Sequence, residues 1–302
     1  MPHLLVIGAG PGISSATARK LGAAGYAVGL VARREGPLAE LGAALSADSV
    51  RTEWATAEAG DPASLTAAVD TLTAALGPVD VLLYNVSVGR QAAVPELAPD
   101  DLLADLAAGA VGLQTAVRAV LPGMRERGSG TVLVTGSGSA DRPIPSMATL
   151  GVQKAALRAL VEVQARALAP EGVHVATVTV RGLVGEERQI QPDRIAALYA
   201  ELVAETAGPQ ENWRTVVDLP PGARAAERNR ALRREAMTPR SSGSHRDQVP
   251  CPAGAERNRA LRREASGPRA GGPGNGLWCY MCGCYAPAMK PTRRWSGCAI
   301  ST

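Results

Sequence analysis

The 302-residue chain contains no phenylalanine, aromatic residues make up only 3% of it, and no cysteine precedes Cys251. Without Phe, any core must be packed from Leu, Val and Ala. Without Cys, the first 250 residues hold no disulfide framework, thiolate metal site or cysteine nucleophile, and they carry no redox information. The chain has three histidines. His3 and His174 stand at or beside apolar runs with no Cys or acid cluster near them, so a structural or exposed role is expected and no metal site is read there. No run approaches 18 uninterrupted apolar residues, and the N-terminal apolar run is too short for a signal peptide. A soluble, cytoplasmic protein without membrane contact is the expectation.

Charge is unevenly spread. Residues 1–219 carry 17 Lys and Arg against 23 Asp and Glu, net −6, and residues 220–302 carry 15 against 5, net +10. The excess positive charge of the whole chain therefore belongs to its last quarter. We read two regions: a folded domain over 1–219 and a tail over 220–302.

The most informative stretch is His3 to Arg34. Leu4 to Ile7 form a short apolar run suited to a strand buried on both faces. Gly8, Gly10 and Gly12 follow at once, Ser14 to Leu21 carry helical spacing, Gly25 closes the helix, and Ala27 to Ala32 form a second apolar run. In such a strand, turn and helix the glycines let backbone approach a pyrophosphate, and the first amides of the helix point at it. Ser14 and Ser15 add hydroxyls at that end. Ile13 sits where a G-x-G-x-x-G loop has its third glycine, so the spacing departs from that fingerprint. An acid that reads a ribose 2′-hydroxyl is expected about 20 residues after the loop. The chain has Arg33 and Arg34 near that point, which suits a 2′-phosphate and favours NADP over NAD. The plainer alternative is a solvated Arg pair.

Further along, helices are expected over 38–46, 64–76 (begun by Asp61-Pro62 as N-cap and first turn), 100–127, 147–169 and 193–204. Strands are expected over 50–56, 79–84, 131–135, 173–180 and 213–219. Strands alternating with helices imply an α/β, Rossmann-type, doubly wound parallel sheet in three layers, α/β/α, with ligands beyond the carboxyl ends of the strands.

The order and spacing of these elements resemble the short-chain dehydrogenase/reductase family. Gly8, Gly10, Gly12, Ile13 and Ser14 fall on its nucleotide loop, Glu58-Ala59 on its adenine-contacting acid and neighbour, and Asn85 on its Asn-Asn-Ala-Gly stretch. Ser137 falls on the catalytic serine and Lys154 on the lysine of its Tyr-x3-Lys pair. The resemblance implies an NADP(H)-dependent oxidoreductase acting on a carbonyl or alcohol of a small-molecule substrate. Ser137 and Lys154 would be catalytic. Gly8, Gly10, Gly12, Ile13, Ser14, Arg33, Arg34, Glu58, Ala59, Asn85 and Lys154 would contact the cofactor. It also implies a homo-oligomer, dimer or tetramer, through the helices at 100–127 and 147–169. The chain departs from the family at three places: Leu150 stands where the tyrosine general acid is expected, Gly109 where a helix asparagine is expected, and Arg181-Gly182 where Pro-Gly is expected. A positioned general acid contributes about 10² to 10⁴ in rate, and leucine cannot serve as one. Tyr84 and Tyr199 are the candidate replacement phenols, and the alternative function is a weak or inactive NADP-binding sensor or scaffold.

In the tail, the eleven residues Ala226 to Ala236 recur as Ala255 to Ala265. Each copy has one Leu and cannot build a core, so disorder is expected. Clustered Arg could neutralise phosphates, but nucleic acid is not the favoured partner, and a solvated extension is the simpler reading. Cys279, Cys282, Cys284 and Cys298 lack the spacing of a usual zinc knuckle.

Overall fold

In the computed structural model the described residues are 1–92, 94–185 and 190–220, together with the backbone of Gly276–Cys279 and Cys284–Pro287. The chain divides into two compact units, Met1–Pro239 and Arg240–Thr302.

The first unit is built from seven strands: β1 (His3–Ile7), β2 (Ala27–Ala32), β3 (Thr52–Thr56), β4 (Val81–Tyr84), β5 (Gly130–Ser137), β6 (Val173–Val180) and β7 (Val216–Leu219). They form one sheet in the order β3-β2-β1-β4-β5-β6-β7. Every neighbouring pair is parallel. Helices α1 (Ile13–Ala23), α2 (Glu35–Ala47), α3 (Pro62–Leu76), α4 (Pro99–Leu106), α5 (Gly112–Arg127), α6 (Ala148–Leu168) and α7 (Pro192–Glu205) cover it.

Successive strand residues face opposite sides, and the chain uses this period to fill two cores. Leu5 and Ile7 face α3, α5 and α6 through Leu65, Leu113 and Val161. Leu4 and Val6 face α1, α2 and α7 through Leu21, Leu38 and Tyr199. The expected doubly wound, three-layer sheet is therefore present. Tyr84 and Tyr199 are the largest fully buried side chains, filling volume that Phe commonly fills elsewhere.

Local signals place the elements well. The Asp61 carboxylate accepts from the amides of Ala63 and Ser64, capping α3 with Pro62 in its first turn. Gly25 takes φ +92°, the left-handed turn that ends α1 and leads into β2. Three differences from expectation have clear causes. β5 runs on to Ser137 because its register with β6 continues to the pair Ser137 and Val180. The final strand begins at Val216 rather than 213, because Trp213 stacks on His174 with ring centroids 4.9 Å apart and donates its indole N–H to Glu205 O. The 100–127 helix is interrupted at 107–111 by a π turn, which separates α4 from α5.

The span Pro99–Arg127 is long and apolar enough to cross a bilayer by length and composition. Leu113, Val117, Val120 and Met124 on it are buried against the sheet instead. In the second unit, β8 (Gly276–Cys279) and β9 (Cys284–Pro287) pair antiparallel. The repeated segments and the remainder of the expected disordered tail lie outside the described residues.

Candidate functional site

The strand order reverses direction at β1, which has β2 on one side and β4 on the other. Loops leaving β1 and β4 part at this point, and a crevice opens between them at the carboxyl edge. The loop after β1 is held tightly there. Gly8 and Ala9 both donate their amides to Val31 O at 2.9 Å, and Asn85 donates its amide to Ile7 O at 2.8 Å. Gly8 has φ +82°, and a Cβ on it would lie 2.7 Å from Asn85 O. Gly10 and Gly12 have no heavy atom within 4 Å of where a Cβ would stand, so backbone is bare on that side.

The crevice is a cavity of about 230 Å³. Gly8, Gly10, Arg33, Arg34, Glu58, Ala59 and Asn85 all line it. The sequence missed Pro37, Val86, Ser87, Val88 and Ala108, which line it as well. Only their place in the first turn of α2, in the loop after β4 and in the π turn could have marked them. Gly12 lines a neighbouring groove with Arg19, Lys20 and the start of α7. Ile13 is the first residue of α1 and packs on the core.

Both expected hydroxyls at the loop already contact the protein, and Ser14 has spent its donor there. Ser14 is fully buried, its Oγ donates to Gly8 O at 2.9 Å, and it accepts from Asn85 Nδ2 at 2.7 Å. Ser15 Oγ accepts from Arg19 at 2.7 Å. Ser14 thus ties the glycine loop to the end of β4.

A second group of residues lies beyond β5. Ser137 ends that strand, and its Oγ accepts from the Ser139 amide at 3.1 Å, capping a short turn. Lys154 on α6 is buried, and its Nζ donates to Thr135 O at 2.8 Å and to Val86 O at 3.0 Å. Burial without a carboxylate partner pushes its ammonium down to about 8. Leu150 stands one turn before Lys154 on α6 and is half-buried. Neither Ser137 nor Lys154 lines the 230 Å³ cavity, although Val86, which holds Lys154, does.

Both candidate replacement phenols prove to be core residues. Tyr84 is fully buried, donates to Ala108 O at 2.5 Å, and has its phenol pushed upward by desolvation. Tyr199 is also fully buried, lies 2.8 Å from Thr135 Oγ1, and is pushed upward by the same cause. Neither phenol lines the cavity. His3 and His174 are structural as expected: His3 Nδ1 lies 2.8 Å from Gly77 O, and His174 sits between Leu202 O and Arg214 O. Among the described residues no cluster of His, Cys, Asp and Glu could hold a metal.

Sequence reasoning also missed two devices on the loop after β4. Gln153 is fully buried and exchanges two 3.1 Å hydrogen bonds with the backbone of Val88. Arg90 donates to both carboxylate oxygens of Asp105 at 2.9 Å, and that hydrogen-bonded pairing holds the buried carboxyl below its ordinary range. Adjacency to Lys154 was the only signal for Gln153.

A parallel doubly wound sheet with a glycine loop at its switch point defines a nucleotide-binding protein of the Rossmann class. The profile described as short chain dehydrogenase matches residues 2–186, and the chain belongs to that family. It is 34% identical over 146 residues to human 17-beta-hydroxysteroid dehydrogenase type 1, covering 48% of this chain and 44% of that protein. It is 28% identical over 151 residues to 2,3-dihydro-2,3-dihydroxybenzoate dehydrogenase of Bacillus subtilis, covering 50% of this chain and 58% of that protein. The chain thus spans about half the length of these curated relatives. Among solved structures, a metagenomic short-chain oxidoreductase in complex with NADP superposes with a TM-score of 0.66 at 26% identity, over 73% of this chain and 97% of that one. A short-chain dehydrogenase/reductase from Serratia marcescens gives 0.65 at 27% identity, over 73% and 97%.

Proposed function

We propose that the chain is an NADP(H)-dependent oxidoreductase that interconverts a carbonyl and an alcohol on a small-molecule substrate. The observation that carries this reading is the single cavity joining the Gly8–Gly10 turn, Arg33 and Arg34, Glu58 and Ala59, and Asn85 across the β1 and β4 edges. Bare backbone at Gly10 and Gly12 suits a pyrophosphate, with Ile13 opening the helix behind it and Ser14 fixing the turn from below. The exposed Arg33 and Arg34 suit a 2′-phosphate and favour NADP over NAD. Glu58 and Ala59 would face the adenine.

Bound, the reduced nicotinamide supplies a hydride to a carbonyl carbon. Ser137 would donate a hydrogen bond to the carbonyl oxygen. An ammonium at Lys154 has three N–H groups, and Val86 O and Thr135 O take two of them. The third is the one left for the nicotinamide ribose. Leu150 offers no proton, so the alkoxide takes one from water and turnover is slow.

Exposed Leu103, Val111, Val152 and Val163 on α4, the π turn and α6 support a homo-oligomer built on these helices. Packing of Leu113, Val117, Val120 and Met124 on the sheet favours a core helix over a membrane span for 99–127.

Titration of the full chain with NADPH and NADH, followed by a panel of carbonyl compounds, tests the proposal. Tighter binding of NADPH and slow NADPH oxidation with one carbonyl class are expected. Absence of affinity for both nucleotides would overturn it.

A further inference from the structure

The stretch Val86–Val88 forms the side of the cavity on the β4 and β5 half of the sheet, opposite Arg33 and Arg34, which follow β2 on the other side of β1. Loop backbone of this kind has no strand partner for its amides and carbonyls. Here α6 supplies the partners from two consecutive residues. Gln153 Oε1 accepts from Val88 N and its Nε2 donates to Val88 O, both at 3.1 Å. Lys154 Nζ donates to Val86 O.

Gln153 reaches Val88 because of a vacancy made elsewhere. The π turn at 107–111 presents Gly109 to α6, and a Cβ on Gly109 would fall onto Oε1, Cγ and Cδ of Gln153. Any other residue at 109 would take the space of this amide. Gly109 and Gln153 therefore form one device: the glycine leaves the room and the glutamine uses it to fix Val88.

We propose that Gln153 is a positioning residue for the nicotinamide half of the cofactor, holding Val86–Val88 as the wall against which that half docks, with Gly109 as its obligatory partner. The proposal rests on the dinucleotide reading of the cavity. A preorganised wall raises affinity by removing the ordering cost from the binding step. That gain is confined to ligands long enough to reach Val88. A ligand that fills only the half near Arg33, Glu58 and Ala59 does not draw on it.

The test compares NADPH with adenosine 2′,5′-bisphosphate, which carries the adenine half alone, by calorimetric or fluorescence titration of the full chain. In Gln153→Ala, loss of two hydrogen bonds should weaken NADPH about tenfold and leave the bisphosphate within about twofold. Gln153→Glu keeps the size and the acceptor but not the donor to Val88 O, and should give a smaller loss of the same selectivity. Gly109→Ala should reproduce the Gln153→Ala loss, and the double variant should be no worse than Gln153→Ala alone. NADPH affinity unchanged in the Gln153 variants, equal weakening of both ligands, or additive losses in the double variant would each overturn the proposal. A wild-type chain that binds neither ligand would instead overturn the cofactor reading beneath it.

Discussion

Lys154 Nζ donates to the backbone oxygen of Thr135 at 2.8 Å, and its other acceptor is also a backbone oxygen, that of Val86. Two acceptors satisfy the two N–H groups of a neutral amine, whereas an ammonium has a third. Burial, with no carboxylate beside it, displaces its titration down to about 8. Between about 8 and the ordinary lysine value of about 10.4, the unfolded chain binds a proton that the folded chain has released. Stability contributed at this site is therefore lowest below pH 8 and rises with pH through that window. Relative to Lys154→Met, the wild-type chain should gain up to about 3 kcal/mol between pH 8 and 10.5. Urea unfolding of both proteins across that range checks the sign. A gap that does not change with pH would contradict it.

Leu150 and Lys154 share a face of α6 at i and i+4, so a phenol at 150 would stand one turn from the ammonium. Leu150→Tyr should raise kcat for NADPH oxidation by about 10² to 10⁴, the usual contribution of a positioned general acid. The rate should then follow an ionisation lowered from the ordinary phenol value by the neighbouring positive charge. Steady-state kinetics against pH, with the substrate found in the carbonyl panel, measure both effects. An unchanged kcat would show that proton supply is not what limits turnover.

Arg33 and Arg34 follow the end of β2, line the cavity and are exposed. Their joint replacement, Arg33→Ala with Arg34→Ala, should weaken NADPH about 10- to 100-fold, the scale of one or two hydrogen bonds to a charged group. NADH should change by less than about threefold, since no phosphate is lost. Parallel titrations with the two nucleotides decide the matter, and equal losses would remove the arginines from cofactor selection.

Gly8 combines a positive φ with backbone contact at Asn85 O. Gly8→Ala meets both obstacles, and a cost of about 2 to 4 kcal/mol is expected, compared with about 1 kcal/mol for Asp61→Ala at the α3 cap. Gly10→Ala has open space and an ordinary φ, so it should cost less than about 1 kcal/mol. Thermal unfolding of the three variants orders these effects.

The fold was legible because each of its signals is local. Buried parallel strands read as apolar runs, Asp61-Pro62 reads as a helix start, and Gly25 reads as a helix end. Glycines and arginines that line the cavity were legible for the same reason: they follow strands directly, and the sheet brings all strand ends to one edge. What stayed hidden depends on contacts between distant segments. Nothing near Tyr84 tells that its hydroxyl is spent on Ala108 O, twenty-four residues on, nor that Tyr199 turns inward to Thr135. Ser14 looked like a ligand donor because its link to Asn85 spans seventy-one residues. Gly109 looked like a loss until Gln153 was seen in its place.

The central strand has consequences for biosynthesis. β1 gains its first neighbour within thirty residues, at β2, but its second neighbour β4 begins only at Val81. On the ribosome, an emerging chain carrying β1, β2 and β3 presents one naked edge of Leu4 to Ile7, with amide and carbonyl groups ready to pair with any other nascent strand. Completing α3 and β4 closes that edge, so slow translation through residues 57–84 would prolong its exposure.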